Sequence, residues 1–65
     1  MRNLERIDQI ISQLLLYWKG MVPDWRFGQL MVNFIGFVTK RTGRDIFYIE
    51  DEEMAQLLEE FFTSR

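Results

Sequence analysis

Apolar residues in the first third of the chain fall at Leu4, Ile7, Ile10, Ile11, Leu14, Leu15 and Trp18. That spacing of three and four is one face of a helix. Asp8, Ser12 and Lys19 take the other side, while Leu16 and Tyr17 lie off the stripe. Asn3 suits a helix start, Glu5 the positive end of the dipole and Lys19 the negative end. Gly20 is expected to stop the helix in a left-handed conformation. Val22, which precedes Pro23, is pushed toward extended backbone.

The pattern then repeats. Asp24 reads as an N-cap, followed by a broad apolar face of Phe27, Leu30, Met31, Phe34, Ile35 and Val38. Val32 and Phe37 fall outside that face. Gly28 and Gly36 each weaken an isolated helix by about 1 kcal/mol. They are expected where another helix crosses closely. Lys40, Arg41 and Gly43 form a stop signal. Residues 45–49, rich in isoleucine and aromatics, have strand-type composition. They are read as a short extended link whose rings plug the base of the helix pair. Four acids, Glu50 to Glu53 in sequence, open a last helix with Met54, Leu57, Leu58 and Phe61 on its buried face and Phe62 beside it. With Glu50 as cap, Ile49 and Met54 take hydrophobic-staple positions; Asp51 is the chemically better cap but loses the staple. Thr63, Ser64 and Arg65 are expected to fray. The prediction is an all-α, compact three-helix domain spanning residues 1–65, with helices at about 4–19, 25–41 and 51–62.

Composition sharpens this. The chain has 65 residues, 48% of them hydrophobic and 15% aromatic. So short a domain buries a small share of its surface, and with no cysteine it has no disulfide to help. Ten aromatic rings are hard to hide within three short helices, so part of the apolar surface is expected to face another chain. Residues 1–44 carry seven basic and three acidic side chains; residues 45–65 carry one and seven. The simplest reading is attraction between these parts, within one fold or across a dimer; the sharper one is an acidic face for a basic partner.

No histidine is present, so the usual nucleophilic triads and the commonest metal ligand are missing. No enzyme activity, cofactor or metal is expected. Asp45, Glu50, Asp51 and Glu53 could gather around a hard cation, but they lack the pattern of a calcium loop and read better as a solvated acidic cap. The longest charge-free run, residues 27–39, is short of the ~20 residues needed to span a bilayer. Residues 1–6 carry an acid early and no signal-type apolar block follows. A soluble, cytoplasmic protein is expected, with no membrane partner.

Partner binding is the leading expectation. Trp25, Arg26 and Gln29, with Tyr48, Glu50 and Asp51, form the predicted partner-binding surface, because tryptophan, tyrosine and arginine are favoured anchors. Leu16, Tyr17, Val32, Phe37 and Phe62, all off the predicted buried stripes, form a predicted self-association surface. The alternative is a nucleic-acid accessory protein using Lys40, Arg41 and Arg44. An apolar second helix and an acidic third make poor recognition elements. The acidic helix could instead imitate nucleic-acid phosphate.

Trp18, Pro23-Asp24, Arg26, Gly28-Gln29-Leu30, Asn33 and Asp45-x-Phe47-Tyr48-x-Glu50-Asp51 occur in order. This pattern resembles a group of short, functionally uncharacterised bacterial and phage-borne proteins, over residues 4–61. The chain departs from it at residues 37–43, a longer stretch, and at Ile46, where the pattern has proline. The resemblance implies a helical accessory protein acting by binding, with no activity attached. The expected function is a non-enzymatic, self-associating interaction module that occludes or sequesters a partner, such as a phage-borne modulator or inhibitor of a host system.

Overall fold

The computed structural model describes residues 2–64. Three helices follow one another: α1 (Glu5–Met21), α2 (Phe27–Thr42) and α3 (Asp51–Thr63). A 3-10 turn, Ile46–Tyr48, precedes α3. The fold is the compact all-α three-helix domain that the periodicity predicts.

The helix ends differ from expectation. The Asn3 carboxamide oxygen accepts from the Glu5 amide at 2.9 Å, so Asn3 does serve the start of α1. Gly20 does not stop α1; the helix runs through it to Met21. Gly43 alone among the described residues has positive φ, at 69°, and it closes α2 as a left-handed cap. Asp24 is not the cap of α2: the helix begins at Phe27 and Arg26 holds the N-cap position. Glu50 holds the N-cap position of α3 without a side-chain cap bond, which places Ile49 and Met54 at the staple positions; Ile49 is buried and Met54 packs against the core. The C-terminus of α3 is tied down, with the Thr63 and Ser64 hydroxyls donating to the Glu59 and Glu60 carbonyls. Arg65 lies outside the described residues.

Residues 45–49 are not extended. The Asp45 carboxylate accepts from the Phe47 amide at 2.9 Å, which bends the chain into the turn. Ile46 and Ile49, three apart, then point inward, Ile46 against the core and Ile49 within it. Phe47 and Tyr48 point away at 81% and 77% exposure, so the rings expected to plug the helix pair face solvent.

The core sits between α2 and α3. It consists of Leu30, Phe34, Val38, Ile49, Leu57, Leu58, Phe61 and Phe62. Helix α1 contributes no fully buried residue. No Cα of α1 lies within 8 Å of a Cα of α2 among the described residues, so α3 is the layer between them. A middle helix must be apolar over a wide arc, and this accounts for Phe62. Expected to be off the buried face, it is 0% exposed, with Tyr17 of α1 stacked on it at 4.9 Å. Phe61 turns the other way, toward Phe34 at 5.6 Å and Phe37 at 5.3 Å. The glycine expectation also fails. A methyl group at Gly28 or Gly36 would meet nothing within 4 Å, so no crossing helix requires them.

Two substitutions test this packing. Phe62→Ala should cost about 3–5 kcal/mol, enough to unfold so small a domain. Gly36→Ala should stabilise by about 1 kcal/mol, since the site is open and helical. Urea denaturation followed by circular dichroism reads both.

Candidate functional site

The α1–α2 connection is built around two tryptophans. The Trp18 indole N–H donates to the Trp25 carbonyl at 3.0 Å, and the Trp18 ring lies 5.7 Å from that of Phe27. Trp25 is half-buried, its ring 6.3 Å from that of Phe61. Trp25 is therefore a structural anchor, with only part of its ring available to a partner. Beside it lies a shallow hollow lined by Trp25, Gly28, Gln29, Val32 and Asn33.

Arg26 is chemically unsuited to its position. An N-cap side chain should accept hydrogen bonds, and a guanidinium has no acceptor. The Gln29 carboxamide oxygen compensates by accepting from the Arg26 amide at 2.8 Å, one half of a capping box. Such local inconsistency occurs at functional or strained sites. Arg26 and Gln29 are both exposed, and Gln29 lines the hollow.

Tyr48, Glu50 and Asp51 do not join them. Asp51 opens α3 and Phe61 is ten residues further on, about 15 Å along the helix, so the six predicted residues divide between its two ends. Glu50 pairs with Arg2 at 3.1 Å and Asp51 with Arg6 at 2.5 Å. Tyr48 remains exposed, edge to face with Phe47 at 5.0 Å. The basic trio is divided too: Arg41 pairs with Glu60 at 2.7 Å and Arg44 with Glu53, while Lys40 is exposed. Asp45, Glu50, Asp51 and Glu53 serve four separate partners, and no three carboxylates converge on a cation position among the described residues.

The predicted self-association set is corrected. Phe62 is core, Tyr17 is stacked on it, and Phe37 is half-buried against Phe61. Only Leu16 and Val32 are exposed, on different helices. The apolar surface lies instead where a core was expected. Leu4 at the N-cap of α1 and Ile7, Ile11 and Leu15 within it are between 48% and 67% exposed, and Phe27 and Ile35 of α2 are exposed as well. Sequence reasoning assigned these six to the interior. The available signal was the excess of the α1 stripe, seven residues wide, over what one neighbouring helix can cover.

No helix among the described residues is long and apolar enough to cross a membrane. Comparison with protein-family models, with curated proteins and with solved structures finds no match to this chain.

Arg26→Asp should stabilise the fold by about 1 kcal/mol, because a carboxylate can accept from the free amides of the first turn. Thermal unfolding measures it. An unchanged midpoint would mean that water serves the first-turn amides as well as the carboxylate does.

Proposed function

We propose that this chain is a non-enzymatic protein-interaction module that self-associates and acts by binding, and so occluding or sequestering, a protein partner. One observation carries the reading: eleven large hydrophobic side chains stand 41% or more exposed in a 65-residue chain. Ile7, Ile11 and Leu15 among them lie on one face of α1, and a contiguous apolar face of this kind marks an interaction site. The lack of histidine and cysteine agrees with a role without covalent chemistry. The resemblance to short bacterial and phage-borne proteins supports a cytoplasmic modulator or inhibitor of a host system. Pairing of Arg41 and Arg44 with acids favours a protein partner over nucleic acid.

The hollow beside Trp25 is the surface this reading offers to the partner, with Gln29 in its lining and Arg26 next to Trp25 in the chain. Val32 lines it and is 71% exposed, so Val32→Glu alters the surface without touching the core. Tagged full-length protein in a lysate of its native host should retain a partner protein in stoichiometric amount. Val32→Glu should reduce that capture about tenfold or more. Retention on heparin that falls steeply with salt, with no protein captured, would overturn the reading in favour of a nucleic-acid accessory role.

A further inference from the structure

The apolar surface of α1 is organised for one particular occupant. At about 100° per residue, Ile7, Trp18, Ile11, Leu4 and Leu15 fall within an arc of about 80°. Helix α3 holds a different side of α1, through Arg6 to Asp51, Gln13 to the Ala55 carbonyl at 2.9 Å and Tyr17 to Phe62. The arc is therefore a ridge standing clear of the helix that supports α1. Leu4, Ile7, Ile11 and Leu15 follow in steps of three and four and are all exposed, while Trp18 at the end of the arc is half-buried against the core. Through the Trp18–Phe27 contact the ridge meets the exposed ring of Phe27 at the start of α2.

Area and charge both indicate a second copy of the chain. A folded monomer of 7.9 kDa typically exposes about 4,400 Å². This chain exposes 5087 Å², an excess of roughly 700 Å². A standard protein interface covers about 800 Å² on each partner. The excess is thus close to one half of a dimer interface.

The charges select the arrangement. Asp8 and Lys19 lie next to each other around the helix, on the same flank of the ridge, eleven residues or about 16 Å apart. Both are exposed, and neither takes part in the four ion pairs described above. When two identical helices pair antiparallel about a two-fold axis, each flank meets the same flank of its partner. Asp8 then lies opposite the second copy's lysine, and the pair occurs twice. In a parallel pair Asp8 would face the opposite flank, which is turned toward α3.

We propose that two copies pair antiparallel through the Ile7–Ile11–Leu15 ridge of α1, with an Asp8–Lys19 contact at each end of the seam. The proposal rests on the self-association part of the functional reading and gives it a surface and a symmetry.

Analytical ultracentrifugation of the full chain tests it. The wild type should sediment as a dimer. Ile11→Glu should weaken dimerisation by about a hundredfold while keeping its helical circular dichroism, because Ile11 is 56% exposed within one copy. Asp8→Lys and Lys19→Glu should each weaken it by about tenfold, and the double variant should return to within about threefold of wild type. That restoration requires opposite charges to meet across the axis, which a merely destabilised helix could not imitate. A dimer untouched by Ile11→Glu overturns the ridge and leaves self-association standing. A double variant as weak as the single ones overturns the antiparallel arrangement. A wild-type monomer at high concentration overturns the second copy as occupant, while partner capture that depends on Val32 would leave the interaction module standing.

Discussion

Two adjacent phenylalanines facing opposite ways hold this protein together. Phe61 and Phe62 lie edge to face at 4.9 Å near the end of α3. One turns toward the rings of Phe34, Phe37 and Trp25, the other toward Tyr17. Helices α1 and α2 do not pack along each other, so both are organised by this pair. Aromatic contacts of this kind contribute beyond the area they bury, by about 0.5–1.5 kcal/mol each. In a chain without disulfides, such rings substitute for the covalent staples small domains often need. The connection between α1 and α2 is fixed at the same end of α3, where the Trp18 N–H holds the Trp25 carbonyl and the Trp25 ring meets Phe61.

The division of the sequence into a basic body and an acidic last segment is largely resolved inside the fold. Arg2, Arg6, Arg41 and Arg44 meet Glu50, Asp51, Glu60 and Glu53. Three of these pairs are well exposed and add little stability each, typically under about 1 kcal/mol. Arg6–Asp51 is the more sheltered one and joins the beginnings of α1 and α3. The larger effect is on orientation. Acids at the start of α3 favour the helix dipole and also draw arginines from α1 and from the α2–α3 connection onto one end of the domain. Charge that looked available for an external partner is mostly spent on placing the helices.

The existence of three helices was legible because each apolar stripe is strongly periodic. Which stripe would be covered was not. Periodicity says that a face is apolar; it does not say whether a neighbour reaches it. Ile7, Ile11 and Leu15 satisfy the rule as well as Leu57 and Leu58, yet only the latter lie between two other helices. Phe62 failed in the opposite sense, because a middle helix needs a wider apolar arc than one stripe describes. The start of α2 was misplaced because Asp24 is the better capping residue, while the chain uses Arg26 with support from Gln29. At residues 45–49 aromatic composition points to an extended link, which the chain does not form. Its local signals, an aspartate able to hold the amide two residues on and isoleucines three apart, describe the turn that forms.

The partial burial of α1 makes its stability and its binding a single problem. A 17-residue helix gains little from its own backbone bonds and depends on tertiary contact. Here that contact reaches one flank through Tyr17, Gln13 and Arg6, while an aliphatic ridge stays in water. Anything that covers the ridge also consolidates the helix, since a ligand that binds only the folded chain stabilises it by mass action. Covering the ridge takes a further apolar surface, and the three helices of the described residues leave it bare. Helix α3 meets α1 on the flank of Arg6, Gln13 and Tyr17 and does not reach the ridge. That is the physical reason for reading the exposed face as an interface and not as an imperfection of a small core.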